Sequence, residues 1–389
     1  MPGQTKFLLS VTFTLPLCRA IIAHMVEELS WASIGERIRE SRAAAGLTQQ
    51  ALADEIGLER SMISKLEKGD RRIDAMELTQ IARTLGFPLS HFLHPPPEVV
   101  SRRAAIADSS EIGGSEAARN AYRTEALLSE WLRDVRQLVR VGVLRPEPLR
   151  RYPGRVTSAE EAEQAARWLR GELGLGEEPI DSVADVCERA GQFVAVVQLP
   201  SDGASLVDGE IAVAVVGAQQ DPGRRRSTAA HELGHLVLGD EFSSDLGVHA
   251  SREERERVVE AFTAEFLLPR ARVRDVAEED DALARRYALV RLAAVYRVSW
   301  GLAVAQLKRT GLVDAEELRE LRGRKPTDAE FRDAVGWKPQ PDLASVRVSP
   351  RFASAVMAAL REERITPVRA VELMRGQVSI EELTEEAAD

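Results

Sequence analysis

Residues 231–235 read His231-Glu232-Leu233-Gly234-His235, and this stretch constrains the chain more than any other. On a helix, residues four apart share a face, so both imidazoles can aim ring nitrogens at one point while Glu232 stands about a hundred degrees round. The flanks agree with a helix. Ser227-Thr228 enters it, Ala229, Ala230, Leu233, Leu236, Val237 and Leu238 supply apolar surface, and Gly239-Asp240 closes it. Such a helix belongs in a core, where two imidazoles and a carboxylate need a reason to be buried. The spacing suits a Zn2+ site with its own general base: zinc lowers the pKa of a water toward ~7, and Glu232 takes the proton as that water attacks a carbonyl.

A catalytic zinc takes three protein ligands and keeps one position open. A continuation of the metzincin kind fails, because its glycine would fall on Leu238. The next helical stretch, residues 252–269, buries Val258, Val259, Phe262 and Phe266 along one stripe. Glu256 and Glu260 lie four apart on it, and either completes a His-His-Glu set.

Together with the H-E-x-x-H helix, Glu256 to Pro269 resembles the ImmA/IrrE-type metallopeptidases, whose following helix reads E-x-x-A-N-x-F-A-A-E-L-L-M-P. Phe262, Ala264, Glu265, Leu267 and Pro269 stand in register. The resemblance implies a zincin-like α+β domain and makes Glu256 the third metal ligand, ahead of Glu260. The family's Ala-Asn pair is Val259-Glu260 in this chain. A sheet should precede the metal helix: the β-rich runs 193–197 and 211–216 are expected to pair across a 13-residue loop, leaving an edge for an extended peptide.

A second signal spans residues 34–93. Thr48 caps a short helix, Gly57 makes a tight turn, Ile63 and Leu66 bury the next helix and Gly69 ends it. Two helices joined in this way can lay the second in the major groove. The segment resembles the Xre/lambda-repressor-like helix-turn-helix over its roughly sixty residues. That resemblance implies a phosphate contact for Gln49 and a DNA-facing surface of Arg60, Ser61, Ser64 and Lys65. Arg60 leads as base reader, since arginine on guanine is the commonest specific pairing.

Charge sets the terms of that contact. The net charge of -10 excludes wholesale coating of nucleic acid, and nine Lys and Arg balance nine Asp and Glu between Trp31 and Leu93. Affinity for a double-stranded DNA operator then leans on local charge placement or on a homodimer. Cys18 and Cys187, without metal spacing, fit a reducing cytoplasm. Residues 7–17 are apolar behind Lys6, yet too short and too interrupted by Ser10, Thr12, Thr14 and Pro16 to span a membrane. Translation is expected to start at Met25.

The expected architecture is multidomain and mainly α. An N-terminal extension (1–30) precedes a five-helix helix-turn-helix domain (31–93), then a linker and connecting helix (94–157). An α+β zincin-like metallopeptidase domain with a small sheet (158–325) and a helical C-terminal tail (326–389) follow. In the connecting helix, Leu127, Leu128, Trp131, Leu132, Val135, Leu138 and Val139 form a stripe suited to packing or to a dimer arm, with packing favoured. Residues 289–312 look like a second helix-turn-helix, but Trp300 is expected as a packing anchor. The functional expectation is a DNA-binding transcriptional regulator whose zinc endopeptidase domain cuts a regulatory protein, such as a repressor, in a stress or signal response. The alternative is a transcription factor whose metallopeptidase-like domain senses a ligand or metal without turnover.

Overall fold

A computed structural model describes residues 29–94, 115–199, 201–219, 222–239, 252–340, 343 and 347–385. Residues 7–17, Cys18, Met25 and residues 95–114 of the expected linker lie outside them.

Five helices form the N-terminal domain: α1 (Trp31–Ala44), α2 (Gln49–Ile56), α3 (Arg60–Glu67), α4 (Ala75–Leu85) and α5 (Leu89–Leu93). Their ends follow the local chemistry. Thr48 accepts the Ala51 N–H at the start of α2, Gly57 closes it at φ 70°, and Asp74 with Glu77 forms a capping box on α4. Ile38, Leu52, Ile63, Leu66, Ile81 and Leu85 make the core. Gly35 of α1 lies directly under the last turn of α3, where a Cβ would collide with the Leu66 carbonyl oxygen. Only a residue without a side chain lets α1 cross there.

The long helix α6 (Glu116–Arg140), capped by Ser115, leaves this domain and reaches the sheet. It holds the helix-turn-helix unit: from its first half Tyr122 Oη meets His91 Nε2 at 2.9 Å and donates to Glu40 Oε2 at 3.3 Å, and from its second half Arg133 donates to Ser90 Oγ at 3.1 Å. Burial, with Arg133 and Arg37 nearby, pushes the His91 imidazole down to about 3, so it is neutral. The second half of α6 buries Trp131, Leu132, Val135 and Leu138 against the sheet. Packing, as expected, occupies its apolar stripe.

After α7 (Ala159–Glu172) and α8 (Val183–Arg189) come three strands, β1 (Gln192–Val197), β2 (Gly203–Asp208) and β3 (Ile211–Gly217), in the order β1-β3-β2. β1 and β3 do pair, in parallel, but the stretch between them is not a plain loop. It carries β2, which forms an antiparallel hairpin with β3 and lets the chain return beside β1. Side chains alternate between two cores: Val194, Val196, Ala214 and Val216 face one, and Phe193, Ala195, Val213 and Val215 face the other.

The first face receives α9 (Pro222–Leu238), α10 (Arg252–Leu267), α11 (Arg270–Ala277), α12 (Ala282–Tyr296) and α13 (Trp300–Thr310), followed by α14 (Ala315–Gly323) and α15 (Asp328–Val335). Trp300 is buried, and its Nε1–H donates to the Leu321 carbonyl at 2.6 Å, so it anchors the core. The second face receives α6 with α16 (Pro350–Arg361), α17 (Pro367–Leu373) and α18 (Ile380–Glu385). Val348 bridges to Ala195 on the outer edge of β1, and Arg369 and Arg375 meet buried Asp134 of α6 at 2.7 and 2.5 Å. β2 is the other edge: it pairs with β3 on its inner side, and no described strand pairs with its outer side.

Candidate metal centre and nucleic-acid interface

α9 begins at Pro222, five residues earlier than its sequence signals, and runs to Leu238 with Gly239 at φ 66°. It lies between the sheet and α10. Gly234 sets the second contact: a Cβ there would stand 3.0 Å from both Val259 and Phe262 of α10. This close crossing draws Glu256 over the His231-His235 face.

The three side chains converge. His231 Nε2 lies 3.0 Å from His235 Nε2 and 3.3 Å from Glu256 Oε2, and one donor atom from each of the three fits within 4.8 Å of the others. The two histidines are buried and Glu256 is half-buried. Glu260, one turn along, is exposed and stands outside the cluster. Bonds of ~2.0–2.1 Å in tetrahedral geometry place neighbouring zinc donors about 3.3 Å apart. Two imidazole nitrogens and a carboxylate at these separations fit a divalent ion, and three protein donors leave a fourth position open.

Glu232 is 1% exposed and faces β2. Ser205 Oγ donates to its Oε2 at 2.7 Å, and Gln192 Nε2 donates to its backbone carbonyl at 3.1 Å. Strand alternation turns Ser205 toward α9 while Ala204 and Leu206 turn to the other core. Gly203, two residues back, also faces the carboxylate: a Cβ would lie 3.3 Å from Glu232 Oε1. Sequence reasoning did not single out Ser205. A hydroxyl inside an apolar strand, ahead of the Asp208-Gly209 hairpin signal, was the clue available.

In the helix-turn-helix unit, Arg60, Ser61 and Lys65 are exposed on α3, and Ser64 is half-buried beside them. Ser61 Oγ donates to Glu59 Oε2 at 3.2 Å. Gln49 is half-buried at the start of α2, where its Nε2 donates to Glu67 Oε2 at 2.7 Å. Arg42 holds the same carboxylate at 2.5 and 3.2 Å. Glu67 thereby ties α1, α2 and α3 together.

Residues 38–92 match the helix-turn-helix family model, and residues 197–308 match the IrrE N-terminal-like domain of the M78 peptidases. An uncharacterized transcriptional regulator in the ATPase CF(0) region of Rhodospirillum rubrum is 41% identical over 61 residues, 16% of this chain and 56% of that protein. An uncharacterized HTH-type transcriptional regulator of Sinorhizobium medicae is 36% identical over 64 residues, 16% of this chain and 46% of the relative. The chain thus spans about half the length of the curated relatives it matches. No solved structure matches it. No helix among the described residues is long and apolar enough to cross a membrane. The chain joins a helix-turn-helix domain of the Xre type at residues 38–92 to a domain of the IrrE/ImmA metallopeptidase family at residues 197–308.

Proposed function

We propose that this chain is a cytoplasmic transcriptional regulator that docks on double-stranded DNA through residues 31–93 and carries a zinc endopeptidase in residues 158–325. The observation that supports it most is the meeting of His231, His235 and Glu256 beside a buried Glu232 that Ser205 orients. His231, His235 and Glu256 hold the ion. Bound zinc supplies a water of lowered pKa and polarises the carbonyl to be attacked. Glu232 acts as general base, and its hydrogen bond from Ser205 holds the carboxylate in one rotamer before substrate arrives. The outer edge of β2, with which no described strand pairs, runs past Glu232 and can add an extended peptide as a further strand, bringing its amide to the site. A regulatory protein such as a repressor is the substrate class this fits.

On the DNA side, Arg60 reads a base edge, Ser61, Ser64 and Lys65 contact base or backbone, and Gln49 meets a phosphate. A unit with balanced charge gains affinity when two copies bind two half-sites, which favours a homodimer.

Glu232→Gln is the decisive variant. It should keep zinc and DNA binding while lowering peptide cleavage by about 10²–10⁴-fold, and it should trap the protein substrate in a pull-down. Regulation in cells that persists unchanged in Glu232→Gln would replace the peptidase with the non-catalytic sensor.

A further inference from the structure

At the end of α10 away from Glu256, a cavity of 390 Å³ opens between α7, α11 and α13, lined by Arg167, Glu265, Arg270, Arg274, Arg309 and Thr310. Four guanidinium groups line it, and two buried carboxylates lie beside them, Glu265 and the neighbouring Glu163. Arg167 donates to Glu265 Oε1 at 3.0 Å, and Arg270 pairs with Glu163 at 2.9 Å while its backbone N–H donates to Glu265 Oε2 at 3.0 Å. These contacts account for two of the four arginines.

The other two are differently placed. Arg309 donates to Gln306 Oε1 at 3.1 Å and forms no ion pair of 4.0 Å or less among the described residues, although its charge acts on the nearby Glu163. Among the described residues Arg274 pairs with the exposed Glu278, just past the end of its helix, at 4.0 Å, a separation at which a solvated pair contributes little. The wall therefore carries an excess of positive charge around a hollow of small-ligand size. Planar guanidinium forks fit phosphoryl oxygens two at a time, which a scattered set of lysines would not do.

We propose that this cavity binds the phosphoryl group of a small phosphorylated molecule, gripped by Arg274 and Arg309 with Arg167 and Arg270 completing the wall. The site is separate from the metal centre: nine residues of helix, roughly 13 Å, divide Glu265 from Glu256. It stands whether or not the chain cleaves peptides.

Calorimetric titration of the metal-loaded full chain with inorganic phosphate, pyrophosphate, ADP and succinate tests it. Saturable binding of one or more phosphoryl compounds per chain is expected, weakened about tenfold or more in Arg274→Ala/Arg309→Ala while the melting curve stays in place. Arg309→Lys, which keeps the charge and loses the fork, should give an intermediate loss. Three outcomes overturn the proposal: no phosphoryl compound binds at millimolar concentration, succinate binds equally well, or the double variant binds as the parent does. DNA affinity that falls with the double variant, in the absence of phosphoryl binding, would assign the arginines to the nucleic-acid backbone instead.

Discussion

The helix-turn-helix domain and the metal domain keep their polar side chains in opposite places. Arg60, Ser61 and Lys65 stand in solvent on α3, supported by an apolar core that owes them nothing. His231, Glu232 and His235 lie inside the core that folds their domain, tied to β2 and α10. A surface site can be altered without disturbing its scaffold, whereas a buried site shares its contacts with the fold. Substitutions should therefore separate function from stability in the first domain and couple them in the second.

The largest break in that contrast comes from a residue that carries no chemistry. Gly35→Ala forces a Cβ into the Leu66 carbonyl, and about 3 kcal/mol or more of destabilisation is expected in the helix-turn-helix unit. DNA binding measured by fluorescence anisotropy should vanish while zinc content stays unchanged; loss of both would show that the two domains fold as one.

Chelation probes the other half. At zinc a hundredfold above its dissociation constant, binding adds about 2.7 kcal/mol, so removing the metal should lower the melting transition of the α9/α10 core. DNA affinity at fixed salt should hold. An unchanged melting curve would mean that the three donors are held without an ion.

Glu188 gives a pH test of how firmly the C-terminal helices sit on this core. It accepts the backbone N–H groups of Arg351 (2.8 Å) and Phe352 (2.9 Å) at the start of α16, and burial raises its carboxyl to about 7. Between about pH 4.5 and 7 the native chain holds a proton that the unfolded chain has lost, so this contribution is fully present below that window and gone above it. Stability should fall by roughly 1–3 kcal/mol as pH rises through that window, and Glu188→Gln should flatten the slope in urea titrations. Equal slopes would remove Glu188 from that role.

The smallest effect on the fold is expected at Arg60. Arg60→Ala should leave thermal stability within about 0.5 kcal/mol yet cost roughly 1–3 kcal/mol of discrimination at one base position. A selection experiment returning the parent's base preference would strike Arg60 as a base reader.

What could be read in advance follows the same division. The N-terminal helices were legible because their ends are local: Thr48, Gly57 and Gly69 each act within a turn of their own position. The H-E-x-x-H face was legible for the same reason, since i and i+4 need no tertiary information. The choice of Glu256 over Glu260 rested on resemblance, because their spacing is equivalent on α10. The crossing at Gly234, which favours Glu256 by position, depends on two helices meeting. β2 was missed because Gly203, Ala204 and Ser205 have weak strand character, and only pairing with β3 holds them extended. The docking of α16 and α17 was hidden for a further reason. Its anchors, Asp134 with Arg369 and Arg375, lie more than two hundred residues apart.

Zinc stoichiometry of the purified full chain, measured by plasma mass spectrometry across a short variant series, tests the metal centre most directly. One zinc per chain is expected in the parent, in Glu232→Gln and in Glu260→Ala, with little or none retained in His231→Ala, His235→Ala or Glu256→Ala. A parent chain without zinc, or a chain that loses its zinc through Glu260→Ala and keeps it in Glu256→Ala, would contradict the account.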